Sequence, residues 1–464
     1  MTDQTTTRGK VSSSAIETLG VDPVPLASRK MGPGMLFLIW ALASASATTP
    51  VIGLLLDHLG LLTFSALVLI ASLIGFLPAL LFAHMGRQVP VISMVMARRT
   101  WGFLGAGVLA LLYTVVGAGW FGLNTDVGGK ILSNLFPGLG WTWYLLLGLA
   151  QIGLVFFGME LLEKFYKYTA LLFLSCYAVL TYYLLSRYPL QLPVTTGIVP
   201  WGKDIDLILS FSLLAWSYDF PTVSRFCVPY HKQESRNYSL FFASMPTLGV
   251  MTAVLFMGIL GLVTLRMTGD WNVAMLGRSL PLWGEISAIG VILAIAHTNA
   301  MNLYPAVTKF LAVINVAERD MPNWLQPIAV LGLGVLATAL AIAGILHVIE
   351  GFLNVLGELL FPFSFLLITD WFYQKHYQES PTVFYRGSET KALSSPWSIA
   401  WASTVLIGAI LFEVAKPWPD NRWASYVPWQ VLSAATAAFT YVCGMAILRR
   451  TALGKSARGA TQNA

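Results

Sequence analysis

The sequence predicts an all-α membrane protein of twelve transmembrane segments, and three observations predict it. The first is composition: only 11% of the 464 residues are charged while 56% are hydrophobic, and the mean hydropathy is +0.69. A soluble domain carries about a quarter charged residues, so this chain cannot clothe a soluble surface of its size. The second is that apolar stretches of about 20 residues, the length of one bilayer crossing, recur from end to end. The third is that basic residues crowd into alternate linkers, as the positive-inside rule requires.

The twelve segments fall near 34–56, 61–84, 102–134, 141–158, 164–186, 205–229, 238–265, 283–315, 324–343, 345–373, 397–413 and 428–449. The linkers are too short for a separate soluble domain. The polar tails 1–28 and 451–464 are expected to be disordered, and the N-terminal residues have no apolar core of the secretory kind. With the N-terminus in the cytoplasm and sides alternating, 21 of the 28 basic residues lie on the cytoplasmic side. Arg29, Arg87, Arg98, Arg225 and Lys309 are among these topological anchors. Both termini are therefore expected in the cytoplasm, with the chain in the plasma membrane. The same distribution explains a pI near 9.1 without a nucleic-acid partner. Cys176, Cys227 and Cys443 sit in separate segments with no metal spacing and read as apolar packing residues.

Polar groups in hydrocarbon are costly and usually face a cavity, a pathway or a partner helix. In span 1, "IWALASASATTPVIG" (39–53) crowds small and hydroxyl residues before Pro50 and Gly53. Proline lacks an N–H and clashes with the preceding turn, so the helix should open there. Freed carbonyls at membrane depth then line a cavity; a kinked helix with small-residue packing is the alternative. In span 3, "VVGAGWFGLNTDVGGK" (115–130) places Trp120 and Asn124 on one face, with Gly117 among the glycines that admit neighbours. An indole beside a carboxamide can stack on a planar polar ligand, or can simply pack.

In span 6, "SFSLLAWSYDFPTVSRF" (210–226) predicts a second break at Pro221. Asp219 there is either functional or caps the second half-helix or pairs with Arg225. In span 8, "AIAHTNAMNLYPA" (294–306) projects Ala294, His297 and Thr298 together, with Asn299 and Asn302 forming a second stripe. Asparagines in a membrane helix often bond a neighbouring helix; two such stripes also suit a cation site beside a ligand site.

The interrupted spans 1 and 6 are five apart, and matching interruptions in two halves of a transporter point to a binding site. An odd offset inverts the second unit. The prediction is a leucine-transporter-like five-plus-five inverted repeat with broken helices 1 and 6. Residues 1–30 form a cytoplasmic tail, 31–190 the first repeat, 205–373 the second, 397–449 peripheral spans 11 and 12, and 450–464 a second tail.

Within that architecture, "GWFGLNTDVGGK" in span 3, "SRF" after span 6, "TNAMNLY" in span 8 and "ITDWFY" (368–373) ending span 10 resemble the nucleobase:cation symporter-1 family. Its members are permeases for cytosine, purines, uracil, allantoin, hydantoins and related heterocycles. The resemblance covers nearly the whole chain and implies a symporter of a planar N-heterocycle. It implies Trp120 as a stacking platform, Asn124, Asn299 and Asn302 as edge readers, and a span 6 aromatic. Register from Arg225 puts Leu213 at that aromatic position, while Trp216 or Phe211 takes over if the helix is shifted. The family's acid near that arginine is displaced, since Thr222 and Val223 hold its places and Asp219 lies upstream.

For coupling, the resemblance implies a Na+ site from the carbonyls of Ala41, Ser44 and Ala294 with the side chains of positions 297 and 298. His297 departs from it, because imidazole offers nitrogen where sodium wants oxygen and its natural cargo is a proton. The coupling ion is thus expected to be H+ or Na+, with a proton replacing sodium in part or entirely; no cofactor is expected. Gly357, Glu358 and Pro362 suggest a gate in span 10. The expected partners are a small heterocycle and the bilayer, with no nucleic acid and no obligate protein partner. An amino-acid or amine transporter of the same architecture is the alternative. A channel or intramembrane enzyme is more remote, as the chain has no HExxH, GxSxG or Walker A motif.

Overall fold

The computed structural model describes residues 17, 19–231, 233–279, 283–315, 322–385, 395–415 and 422–450. The outer parts of the two tails, 1–16 and 451–464, lie outside the described residues. Nine helices among the described residues are long and apolar enough to cross a membrane. They are α3 (Leu61–Gln88), α4 (Ser93–Leu135), α6 (Met159–Arg187), α10 (Arg236–Thr268), α11 (Trp283–Ile314), α12 (Leu325–Ile342), α13 (Ile349–Gln374), α14 (Pro396–Ala415) and α15 (Trp429–Arg450). The other three expected spans hold shorter pieces. Span 1 is α1 (Pro33–Ser44) and α2 (Val51–Leu55); span 4 is α5 (Thr142–Phe156); span 6 is α7 (Trp201–Phe211), α8 (Leu213–Ser217) and α9 (Phe220–Ser224).

The contacts sort these helices into two groups. α1, α2 and α7–α9 pack with α3 and α10, whereas α4, α5, α6, α11 and α12 pack with one another. Contacts also pair off as an inverted repeat demands: α1 on α10 matches α7 on α3, and α4 on α12 matches α11 on α5. α14 and α15 lie outside, against α13. We call the first group the bundle and the second the scaffold.

Both expected breaks exist, and span 6 carries an additional one. Span 1 unwinds over residues 45–50, ending at Pro50, which caps α2 with φ −58°. Gly261 of α10 lies where a Cβ would come within 2.0 Å of the Pro50 carbonyl. Gly53 is as tightly placed against Leu262 N, at 2.2 Å. The unwound turn is thus held backbone to backbone. In span 6 the sharpest break falls at Ser212 (φ −117°, ψ −110°), and a second, shorter interruption at 218–219 stands just before Pro221. Pro221 sits in the first turn of α9, where a missing N–H leaves no helical bond unmade. The Ser212 hydroxyl instead donates to the Ile208 carbonyl at 2.5 Å, replacing a backbone donor and favouring the interruption.

The N-terminal tail corrects a second expectation. Val21 and Val24 are buried, and Met31 makes an isolated bridge with Cys227. Glu17 accepts hydrogen bonds from Met159 N and the Tyr304 hydroxyl, both at 2.7 Å. Arg225, an expected lipid-facing anchor, is fully buried and donates to the Gly20 carbonyl and Tyr304 hydroxyl. Apolar residues in a polar stretch are enough to seat it across the ends of bundle and scaffold.

Candidate functional site

Where the two breaks face α4 and α11, a small, tightly lined cavity opens. Its lining includes Ala43 and Ser44 from the end of α1 and Ser46, Thr48 and Thr49 from the unwound turn, with Trp120 and Asn124 from α4. Phe211 and Trp216 flank the span 6 break, and Val254 and Thr298 complete the wall. None of these described residues carries a charge. One wall is aromatic: Trp120 meets Phe211 edge-on at 5.6 Å between ring centroids and Phe352 of α13 at 5.4 Å. Trp216 is backed by Trp40 at 5.5 Å.

The rest of the lining is largely hydroxyls, and the unwound backbone explains why. Its polar groups must be satisfied without water. Thr49 donates to the Ser44 carbonyl at 2.6 Å, and Asn272 donates to the Ala47 carbonyl at 2.8 Å. Ser46 Oγ donates to Asn124 Oδ1 at 2.8 Å. Three buried groups at the cavity make no hydrogen bond within the protein: Ser44 Oγ, Thr48 Oγ1 and Trp120 Nε1. Leaving such a group unpaired costs about 1–3 kcal/mol, so the site is built to receive polar contacts.

The cavity gathers Ser44, Trp120, Asn124, Trp216 and Thr298 from the expected site residues. It leaves others elsewhere. Leu213 packs against Gly75 of α3, and the aromatics that line the cavity beside the span 6 break are Phe211 and Trp216. Gly117 packs on Ala306 and the Asn302 carbonyl as a close-approach glycine. Asn299 turns into the scaffold, donating to the Phe121 carbonyl, Thr125 and Gln151. Asn302 donates to Asn299 Oδ1 at 3.1 Å. Gly357 accommodates the Gln430 side chain of α15 within an uninterrupted α13.

The expected cation ligands are already engaged with their own helices. The Ala41 carbonyl accepts from Ala45 N at 3.0 Å, and Thr298 donates to the Ala294 carbonyl at 3.0 Å. His297 faces away from span 1. Its ring stacks on Tyr166 at 5.0 Å, and Nε2 lies 2.7 Å from Thr169 Oγ1 of α6. Asp219 neither caps α9 nor pairs with Arg225; its Oδ2 lies 2.8 Å from Lys309 Nζ.

A sequence profile of permeases for cytosine/purines, uracil, thiamine and allantoin matches residues 23–416. The chain belongs to this family, the nucleobase:cation symporter-1 permeases. A putative purine-cytosine permease, YxlA of Bacillus subtilis, is 23% identical over 419 residues, covering 86% of this chain and 88% of that one. The hydantoin permease of Microbacterium maritypicum is 22% identical over 423 residues, covering 86% and 84%. Among solved structures, the family transporter MHP1, closed on bromovinylhydantoin, superposes with a TM-score of 0.76 at 16% identity. It covers 95% of this chain and 97% of that one. The inward-facing form gives 0.71 at 17% identity, covering 93% and 95%. This family consists of membrane permeases, and the fold matches it along its length.

Sequence reasoning missed Ser46, Thr48, Thr49, Val254 and Phe352. The hydroxyl-rich "SASATTP" (44–50) carried a signal for the first three; an apolar valine or phenylalanine in a membrane helix carries none.

Proposed function

We propose that this permease imports a neutral, planar N-heterocycle of the nucleobase, hydantoin or allantoin type, by symport with a proton. The observation that carries it is the cavity's mixed lining, aromatic rings together with unpartnered polar groups and no charged side chain. A flat heterocycle offers π-faces to the first and N–H and C=O groups to the second. A zwitterionic amino acid would bring two charges into a cavity whose lining offers none. Trp120 and Trp216 act as the stacking pair, and Ser44, Thr48 and the Trp120 N–H read the edge. Asn299 and Asn302 act indirectly, by setting the distance between α11 and α4.

A proton suits coupling better than sodium. His297 supplies no oxygen, and its ring is turned to α6. The protein lies in the plasma membrane with both termini cytoplasmic and crosses it twelve times. The first repeat spans 31–190 and the second 205–373, the bundle rocking against the scaffold about the cavity. Phe352 over Trp120 closes the outer side. The test is a thermal-shift screen of purified protein against cytosine, uracil, hypoxanthine, allantoin, hydantoin and amino acids. Stabilisation by heterocycles alone supports this reading; stabilisation by amino acids alone contradicts it.

A further inference from the structure

The sequence placed Lys309 among the basic residues that anchor the chain at its lipid face. The structure buries it. Lys309 is 1% exposed and Asp219 is 4% exposed, and their Nζ–Oδ2 distance is 2.8 Å. Lys309 belongs to α11 of the scaffold, while Asp219 sits between α8 and α9 of the bundle. The ion pair therefore crosses the interface that must slide if bundle and scaffold move. By contrast, Arg87 with Glu234 and His58 with Asp204 stay inside the bundle, and Arg99 of α4 pairs with Glu379 beyond α13.

The surroundings hold this pair and little else that titrates. Tyr218, on the same turn of span 6, lies under the ammonium with its ring centroid 4.4 Å away. Tyr113 of α4 stacks edge-on against Tyr218 at 4.7 Å and donates to the Leu359 carbonyl of α13. Asp219 Oδ1 makes no hydrogen bond. The pair lies beyond the ligand cavity, towards the end of the molecule where Glu17 and Arg225 meet Tyr304.

Resting on the transport reading above, we propose that Asp219 is where the coupled proton binds and that Lys309 holds the site shut when it is absent. With Asp219 ionised, the pair clamps span 6 to α11, because parting them strands two charges in a medium of low dielectric. One proton from water converts the carboxylate to a carboxylic acid at the bare Oδ1. The attraction is then reduced to that of a neutral acceptor, while Lys309 keeps its contact with Tyr218. Span 6 can leave α11, the heterocycle exits, and water takes the proton back. Each cycle moves one positive charge with a neutral substrate. The same geometry leaves His297 outside the coupling, because its ring touches α6, which belongs to the same group as its own helix.

The test uses the full chain in liposomes with trapped pyranine and radiolabelled uracil, cytosine, hypoxanthine, allantoin and hydantoin. For whichever compound wild type takes up, an inward pH gradient should drive accumulation and substrate should acidify the lumen. Asp219→Asn should retain binding and substrate counterflow yet lose both the accumulation and the acidification. Because a lone buried lysine can unfold the single variant, Asp219→Asn/Lys309→Met removes both charges and should show the same uncoupled exchange. His297→Gln should stay coupled. Gradient-driven accumulation in the double variant overturns the proposal, and so does wild-type uptake driven by sodium alone. If no heterocycle binds wild type at all, the transport reading itself fails, a result visible before any proton is measured.

Discussion

Ser46 Oγ donates a 2.8 Å hydrogen bond to Asn124 Oδ1, tying the unwound turn of span 1 to the helix that carries Trp120. The same carboxamide donates through Nδ2 to the Trp120 carbonyl at 2.7 Å. Asn124 is thereby committed at both ends, a brace between bundle and scaffold more than a free reader of ligand. Replacing it by alanine removes a buried pair of bonds and should lower stability by about 1–2 kcal/mol. A drop in the melting temperature of the ligand-free protein checks this; unchanged melting would show that the brace contributes nothing.

Trp120 gives the cavity both a face and an unpaired N–H. Trp120→Ala should abolish every ligand-induced thermal shift. Trp120→Phe keeps a ring but loses the donor, and should weaken binding by about tenfold, the equivalent of one neutral hydrogen bond. Titration calorimetry on the two variants separates stacking from hydrogen bonding.

The unwound turn survives because two glycines let backbones touch. A Cβ at Gly261 would lie 2.0 Å from the Pro50 carbonyl, with backbone rather than a yielding side chain in its way. Gly261→Ala should therefore cost several kcal/mol, in the upper range for overpacking of about 1–3 kcal/mol or more. The readout is yield and monodispersity in detergent. Gly408→Ala, where a Cβ would meet nothing within 4 Å, is the matched control and should leave both unchanged.

At the end of α13, His376 lies 3.2 Å from both Asp370 and Glu379 carboxylate oxygens. Burial disfavours its charged form, but the two carboxylates outweigh that, and its pKa is raised above the ordinary value. A folded pKa above the unfolded one, about 6.5, stabilises the protein fully below that pH and ceases to do so as pH rises through the folded value. Wild type should lose thermal stability over that interval relative to His376→Gln. Parallel melting curves for the two proteins across the interval would contradict it.

What the sequence made legible follows from which signals are local. Low charge and recurring apolar stretches were enough to identify a helical membrane protein, and Pro50 marked its own break. Pro221 marked the short interruption before α9, but the sharper break belongs to Ser212, whose side-chain bond to Ile208 no spacing rule announces. His297, Asn299 and Asn302 were correctly seen as polar in an apolar helix, yet their direction depends on which neighbours α11 meets. Lys309 looked like every other basic residue near a span end. Only its partner ninety residues away in the chain reveals it as buried.

The most direct test of the central claim is a structure solved with the best-binding heterocycle present. Density for a single flat ring should lie between Trp120 and Trp216, with its polar edge within hydrogen-bonding distance of Thr48 or Ser44. A ring bound elsewhere, with these side chains still unpartnered, would contradict it.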